Sequence, residues 1–113
     1  DLSRATLVGA DLSGADLSAD MRNQSMGMMR GILNSADLTG ADLSGANLSR
    51  AAAEFADFSG ANLQGVDMHR AELAGAKFDG ANGEGADFTD ADLRSAVLGG
   101  LVGTPKHLPA GAK

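Results

Sequence analysis

A five-residue phrase repeats along most of the chain and limits how the backbone can fold. It is clearest in residues 36–50, which read ADLTG ADLSG ANLSR. In each copy a small apolar residue, a short acid or amide, and a leucine follow in that order. An α-helix would space apolar residues three or four apart, and a half-buried strand would alternate them strictly, so neither pattern fits.

The phrase instead predicts a short extended piece followed by a corner. Alanine and leucine lie two residues apart and therefore point to the same side of an extended backbone. Asp or Asn before the leucine and Gly after it favour a turn, because the first bonds nearby backbone and the second accepts a positive φ. Repeated turning in one sense predicts a β-solenoid, whose stacked coils bury a column of leucines.

The phrase resembles the A(D/N)LxX motif of the pentapeptide-repeat family, and the resemblance covers residues 1–100. It implies an all-β fold, a right-handed quadrilateral β-helix with four pentads per coil and about five coils. It also implies that the Leu or Phe at the centre of each pentad, and the alanine two residues before it, point inward. The five-residue spacing alone leaves the number of sides open.

We expect one domain, with a repeat region at residues 1–100 and a C-terminal capping or linker tail at 101–113. The tail has two prolines and no phrase. Such a segment would cover the apolar residues and unpaired strand groups of the last coil. The chain begins in mid-phrase at Asp1 without a methionine, so we expect an excised piece of a longer protein.

The pentads fall into two registers. The first has its centres at Leu2, Leu7, Leu12 and Leu17, and the second runs in steps of five from Leu38 to Leu98. Leu38 lies 21 residues after Leu17, one more than four pentads, which indicates one extra residue between them.

Two centres in the second register, Ala53 and Gly83, are too small to fill the core alone. We expect Phe88 to cover the space beside Gly83. Phe58 and Phe78 lie one coil apart on the same predicted face and should stack.

The phrase is lost in an irregular segment, residues 19–31. One interpretation is a locally distorted coil, which we favour because Met28 and Leu33 would then occupy centres. The other is a loop with a binding role, suggested by a cluster of methionines and arginines. That cluster contains Met21, Arg22, Met26, Met28, Met29 and Arg30.

Outward side chains should form columns spaced about 4.8 Å apart, given 20 residues per coil and the one-residue shift. A column two places past the centres contains Gly9, Arg30, Arg50, Arg70 and Asp90. A column one place before them contains Asp16, Asp37, Asp57 and Lys77. A third column contains Ala19, Gly40, Gly60, Gly80 and Gly100.

The arginine column has two interpretations. It could bind an acidic partner or an anionic ligand, or it could be a solvated ladder in which Glu54 and Glu72 pair with Arg50 and Arg70. Surface pairs contribute only about 0–1 kcal/mol, and we favour the ladder.

The acidic column, Asp16, Asp37 and Asp57, has three interpretations: turn chemistry, electrostatic display and a metal site. Neighbouring carboxylates repel by only about 1 kcal/mol in water, so no cation is required, and we favour turn chemistry. Phe55 falls two past its centre, between Ser35 and Gly75. It is either an interface anchor or an ordinary exposed apolar residue.

We expect no catalysis, cofactor or metal. The two histidines, His69 and His107, have no cysteine near them, no nucleophile elbow and no paired acid in a pocket, and a convex rod offers no cleft. The net charge of −6 argues against direct nucleic-acid binding, because phosphate contacts need Lys and Arg. Without an apolar run near 18 residues, we expect no membrane span and a soluble protein of the bacterial cytoplasm.

The sequence therefore favours a structural or protein–protein interaction module, with end-to-end or side-by-side self-association as a further option. The resemblance implies an alternative, a DNA mimic that binds DNA gyrase or topoisomerase IV and confers quinolone resistance, using Asp16, Asp37 and Asp57. Five coils span roughly 24 Å, so a charge of −6 gives about −0.25 per Å. Duplex DNA carries roughly −0.6 per Å, which makes this chain a poor mimic.

Overall fold

A computed structural model describes residues 1–18, 31–106 and 108. In these residues the chain winds as a right-handed four-sided β-helix. Parallel β-bridges join residues 20 apart, such as Asp37 to Asp57 and Asn62 to Asn82. Because 20 residues hold four pentads, each coil has four faces, and the predicted quadrilateral solenoid is confirmed.

We number the coils in chain order: coil 1 is residues 1–18, coil 2 is 31–50, coil 3 is 51–70, coil 4 is 71–90 and coil 5 is 91–106. The faces are defined by their central residues. Face 1 has Leu2, Leu33, Ala53, Leu73 and Leu93; face 2 has Leu7, Leu38, Phe58, Phe78 and Leu98; face 3 has Leu12, Leu43, Leu63 and Gly83; face 4 has Leu17, Leu48, Met68 and Phe88.

Each face contributes a single bridging residue per coil rather than a longer strand, and the described residues contain no helix. In face 2 the N–H of Leu38 donates to the carbonyl of Asp57 at 2.8 Å, and the N–H of Asp57 donates to the carbonyl of Ala36 at 2.9 Å. The corner closes where the N–H of Ala41 donates to the carbonyl of Leu38 at 3.0 Å. The same bonds recur in successive pentads and pair the backbone between coils.

The core is the column of central residues together with the alanines that precede them. Leu38, Leu43 and Leu63 have no exposed side-chain surface, and burying each one stabilises the fold by about 1.5–3 kcal/mol. Phe58 and Phe78 stack with their ring centroids 5.1 Å apart and their planes 7° from parallel. The predicted stack is therefore confirmed.

The gap at Gly83 is filled differently from our prediction. A β-carbon placed on Gly83 would lie 3.0 Å from Cδ1 of Leu101, so the Leu101 side chain covers this space from coil 5. Phe88 instead meets Phe78 edge-on, with ring centroids 5.9 Å apart. The prediction of Phe88 was wrong because Phe88 is a centre of face 4, whereas Gly83 and Leu101 both lie on face 3.

The register between coils 1 and 2 also differs from our prediction. Thr6, Asp11 and Asp16 bridge to residues 31 positions later, eleven more than the usual 20. The N–H of Gly31 donates to the carbonyl of Leu17 at 3.0 Å, which is the corner bond that elsewhere joins residues three apart. The ladder thus passes from Leu17 directly to Gly31, and the continuous coil with one extra residue was wrong.

The bridge ladder continues past residue 100. Val102 bridges to Asn82 and Lys106 bridges to Asp87, so residues 101–106 lie against coil 4. The capping role of residues 101–113 stays a prediction. Among the residues the structure describes, no helix is long and apolar enough to cross a membrane.

Candidate interaction surface

The acid or amide before each centre stabilises the corner that follows it. Oδ1 of Asp37 accepts from the N–H of Thr39 at 3.1 Å and from its hydroxyl at 2.6 Å. Asn62 keeps only the backbone bond, accepting from the N–H of Gln64 at 3.0 Å. These bonds confirm the turn-chemistry interpretation of the aspartates.

The same bonds perturb the acidity of the aspartates. The Thr39 hydroxyl and then its N–H hold the pKa of Asp37 below its ordinary value. The hydroxyl and N–H of Ser13 lower the pKa of Asp11 in the same way. The bonds stabilise the ionised form, so these carboxylates are acceptors at neutral pH.

The residue two past each centre has a left-handed backbone, but its type depends on the face. After faces 2 and 3 it is glycine wherever φ is positive: Gly9, Gly40, Gly60, Gly80, Gly14, Gly45, Gly65 and Gly85. After faces 4 and 1 the column carries side chains at positive φ: Arg50, Arg70 and Asp90 after face 4, and Arg4, Ser35, Phe55 and Ser95 after face 1. In the residues that the structure describes, two adjacent corners therefore carry side chains, with Gly75 as an exception, and the other two are bare.

We call the column of Arg50, Arg70 and Asp90 the arginine corner. The backbone bonds from Arg50 to His69 and from Arg70 to Thr89 show that these residues stack on successive coils, as predicted. Gly9 does not belong with them, because its N–H bonds to the carbonyl of Thr39 on face 2; Arg30 lies outside the described residues. The error follows from the eleven-residue difference in register.

The predicted partners of the arginines are also corrected. Arg70 Nε lies 4.0 Å from Oδ2 of Asp90 in its own column, and both side chains are mostly exposed. Within the described residues Arg50 has no ion pair. Glu54 acts instead on Arg94, whose pKa is raised chiefly by its hydrogen bond to Asp92.

We call the column of Arg4, Ser35, Phe55, Gly75 and Ser95 the Phe55 corner. Phe55 is 66% exposed, and a β-carbon on Gly75 would lie 2.5 Å from Cδ1 and Cε1 of its ring. The ring therefore covers the backbone of the next coil, and only a glycine leaves room for it. The sequence prediction that Phe55 lies between Ser35 and Gly75 is correct.

The acidic column changes its membership. Asp37, Asp57 and Lys77 do stack, but Thr6 precedes them on coil 1, and Asp16 stacks on Asn47. Asp16 and Asn47 belong to the face 4 column, which continues with Asp67 on coil 3. The carboxylate of Asp67 lies 2.8 Å from Nδ1 of His69. In the part of the chain that the structure describes, no group of His, Cys, Asp or Glu could hold a metal ion.

The structure thus brings Arg50 and Arg70 together on one corner and places Phe55 on the next. Met21, Arg22, Met26, Met28 and Met29 lie outside the described residues, so their binding role stays a prediction. Sequence reasoning missed the contrast between bare and side-chain-bearing corners. Reading every twentieth residue within 31–100 would have revealed it.

The comparisons with known proteins agree with this geometry. The family model for pentapeptide repeats matches residues 1–23, 32–70 and 67–100 in eight copies. A comparison with curated protein sequences gave no significant match.

Several solved structures resemble the chain. A pentapeptide repeat protein from the Arabidopsis thaliana thylakoid lumen is 28% identical, with a TM-score of 0.75 over 89% of this chain and 63% of that one. HetL, a pentapeptide repeat protein from the cyanobacterium Nostoc sp. strain PCC 7120, is 30% identical, with a TM-score of 0.53 over 98% of this chain and 50% of that one. This chain thus spans less than two thirds of either relative.

Another pentapeptide repeat protein from Nostoc PCC 7120 is 33% identical, with a TM-score of 0.51 over 93% of this chain and 79% of that one. The family model covers well over half of the sequence, and the pentads form the coils that the motif implies. The chain belongs to the pentapeptide-repeat family.

Proposed function

We propose that this chain is a non-enzymatic protein–protein interaction module that binds an acidic protein surface through its arginine corner. The observation that supports this is that, in the described part of the chain, side chains at positive φ are restricted to two adjacent corners. A left-handed backbone costs an L-residue about 1–2 kcal/mol. The bare corners show that glycine serves this position well, so side chains kept there point to a use outside folding.

The charges of the arginine corner support an acidic partner. Arg50 and Arg70 lie on successive coils, about 4.8 Å apart along the column. Arg50 has no ion pair within the described residues, and Arg70 is only loosely associated with Asp90. A carboxylate-bearing partner would relieve the repulsion between the two guanidinium groups and offer planar bidentate contacts.

The test is the double variant Arg50→Gly, Arg70→Gly. Both substitutions relieve backbone strain, so the fold should persist while the proposed contact is lost. Proteins captured from cell extract by wild type and variant are compared by quantitative mass spectrometry, and each candidate is then purified and titrated calorimetrically. We expect a protein with an acidic surface whose affinity falls about tenfold or more with the variant.

The matched control is Ser35→Gly, Ser95→Gly, which makes the same backbone change on the Phe55 corner. It should retain the partner. Equal binding by wild type and the arginine variant would contradict the proposal.

DNA mimicry is less well supported. None of the four columns before the centres stays acidic through the described chain, because each face has at least one interruption: Ile32 on face 1, Lys77 on face 2, Asn62 on face 3 and Asn47 on face 4. A gyrase supercoiling assay with and without a quinolone tests this alternative. Protection of the enzyme at micromolar protein would favour mimicry over the arginine-corner proposal.

A further inference from the structure

We infer that face 2 and the Phe55 corner bind a second copy of this chain, with the two solenoids lying side by side and antiparallel. This inference goes beyond the proposed function and does not depend on it, because the arginine corner lies on another edge of the tube. It rests on an exposed aromatic ring, on a column of charges that is complementary to itself, and on a flat neighbouring surface.

Phe55 supplies the apolar centre of this contact. Its ring is 66% exposed and lies over Gly75 of coil 4, so it sits at the junction of coils 3 and 4. The positive φ of 61° at Phe55 is a cost that glycine would avoid. Aromatic residues in the middle of an interface contribute most of the binding energy in many complexes.

The column beside Phe55 changes sign at the same junction. Asp37 and Asp57 lie on coils 2 and 3, and Lys77 lies on coil 4. Within the described residues Lys77 is exposed and has no ion pair. The acidic half of the column and its basic residue thus lie on opposite sides of Phe55.

A two-fold axis makes this pattern complementary to itself. Let the axis lie in the contact plane, perpendicular to the solenoid, at the junction of coils 3 and 4. It places coil 3 of one copy against coil 4 of the other while keeping each column opposite itself. Asp57 of each copy then faces Lys77 of the other, which gives two reciprocal ion pairs around the Phe55 rings.

The rest of face 2 permits close approach. The axis places Ser59 opposite Asp79, a donor opposite an acceptor, and the other residues after the face 2 centres on coils 2 and 5 are Thr39 and Gly99. Gly40, Gly60 and Gly80 at the far corner carry no side chains. A second flat face can therefore lie against this one without displacing bulky groups.

The area of the proposed contact limits the affinity of the dimer. Five coils span only about 24 Å, so the contact is smaller than the roughly 800 Å² per partner of a stable interface. We therefore expect a dimer that forms reversibly at high protein concentration and weakens with added salt.

The experiment measures sedimentation velocity of the 113-residue chain at concentrations up to about 1 mM, the range in which so small an interface should be populated. Asp57→Lys and Lys77→Asp should each raise the dimer dissociation constant about tenfold or more, because each places like charges opposite one another. Phe55→Ser should do the same by removing the anchor.

Mixing the two charge variants is the decisive measurement. The first carries lysine at both positions and the second carries aspartate at both, so an equimolar mixture should form a heterodimer although neither associates alone. Asp42→Lys is the matched control, because it removes the same turn bond on face 3 and should leave the dimer intact. Circular dichroism verifies that each variant is folded.

A wild-type chain that stays monomeric at about 1 mM, or a mixture that does not associate, would overturn the inference. Dimers weakened by Asp79→Lys but not by Asp57→Lys would indicate a parallel pair with Lys77 facing Asp79, and would overturn the antiparallel arrangement. Arg50→Gly, Arg70→Gly should leave the dimer unchanged, which separates this inference from the proposed function.

Discussion

At the residue scale, most described pentads combine one turn acceptor with one left-handed position. The acceptor, Asp or Asn, bonds the backbone two residues later, as Asn47 does to the N–H of Ser49 at 3.0 Å. Asp and Asn can therefore replace one another as the acceptor. At the left-handed position any residue other than glycine is strained, because its β-carbon at positive φ approaches its own backbone. The acceptor contributes to stability through the turn, whereas a side chain at the left-handed position costs stability and needs another explanation.

We expect Arg50→Gly to raise the free energy of unfolding by about 0.5 kcal/mol, since relief of left-handed strain exceeds the extra backbone entropy that glycine loses. The reverse change, Gly45→Arg, should lower it by about 1 kcal/mol. A β-carbon on Gly45 would meet no atom within 4 Å, so the loss would come from the backbone alone. Urea denaturation measures both, and a stabilised Gly45→Arg chain would contradict the argument.

Acid should destabilise the corners. Because the hydroxyl and N–H of Thr39 hold the folded-state pKa of Asp37 below its ordinary value, its contribution to stability is present above the unfolded-state pKa and is lost as the pH falls through the folded-state pKa. Asp37→Asn should therefore reduce the difference between urea midpoints measured at pH 6 and at about pH 3. Asn62→Asp is the reciprocal variant and should increase that difference.

At the element scale, each coil is stabilised by the coil beneath it. The central leucines of coils 2–4 have no exposed surface, whereas Leu7, Leu12 and Leu17 of coil 1 are only partly buried. The gap at Gly83 shows the same dependence, because a residue of coil 5 fills it. Stability in such a stack is close to a sum of nearest-neighbour terms.

Leu63→Ala should lower the free energy of unfolding by about 3 kcal/mol, because it removes a fully buried side chain and leaves a cavity. Leu12→Ala on the same face should cost about half as much, because Leu12 is partly exposed. Urea denaturation measures both losses of unfolding free energy. Equal losses would contradict the greater burial of coil 3 relative to coil 1.

At the scale of the whole molecule, coil 1 pairs with coil 2 at an offset of 31 residues rather than 20. Leu17 bonds directly to Gly31, and the two halves of the chain pair across the 31-residue offset. Gly31 therefore occupies the position three residues past the Leu17 centre in the pattern of fives.

We expect a chain lacking residues 20–30 to keep its circular dichroism spectrum and to have a free energy of unfolding within about 1 kcal/mol of the intact chain's, since the free energy of closing a connection depends only weakly on its length. The same variant tests the predicted binding role of Met21, Met26, Met28 and Met29. A partner that still binds it does not need those side chains. Loss of the β-helix would contradict the register.

Local physics made the solenoid and its core predictable from the sequence. Each phrase contains its own turn acceptor, its own corner and its own inward pair, so Leu43, Leu63 and Phe78 could be placed in the core by reading five residues at a time. The Asp turn bonds and the stack of Phe58 on Phe78 were predictable for the same reason.

The pairing of coil 1 with coil 2 was decided only by the tertiary structure. Met28 and Leu33 both lie a multiple of five before Leu38, so the repeat has no signal that says where the ladder resumes. Hydrogen bonds between coils make that choice, and with it they decide that Thr6 rather than Asp16 stacks on Asp37. The sequence by itself determined what each pentad does, and contacts between distant pentads determined which side chains share a surface.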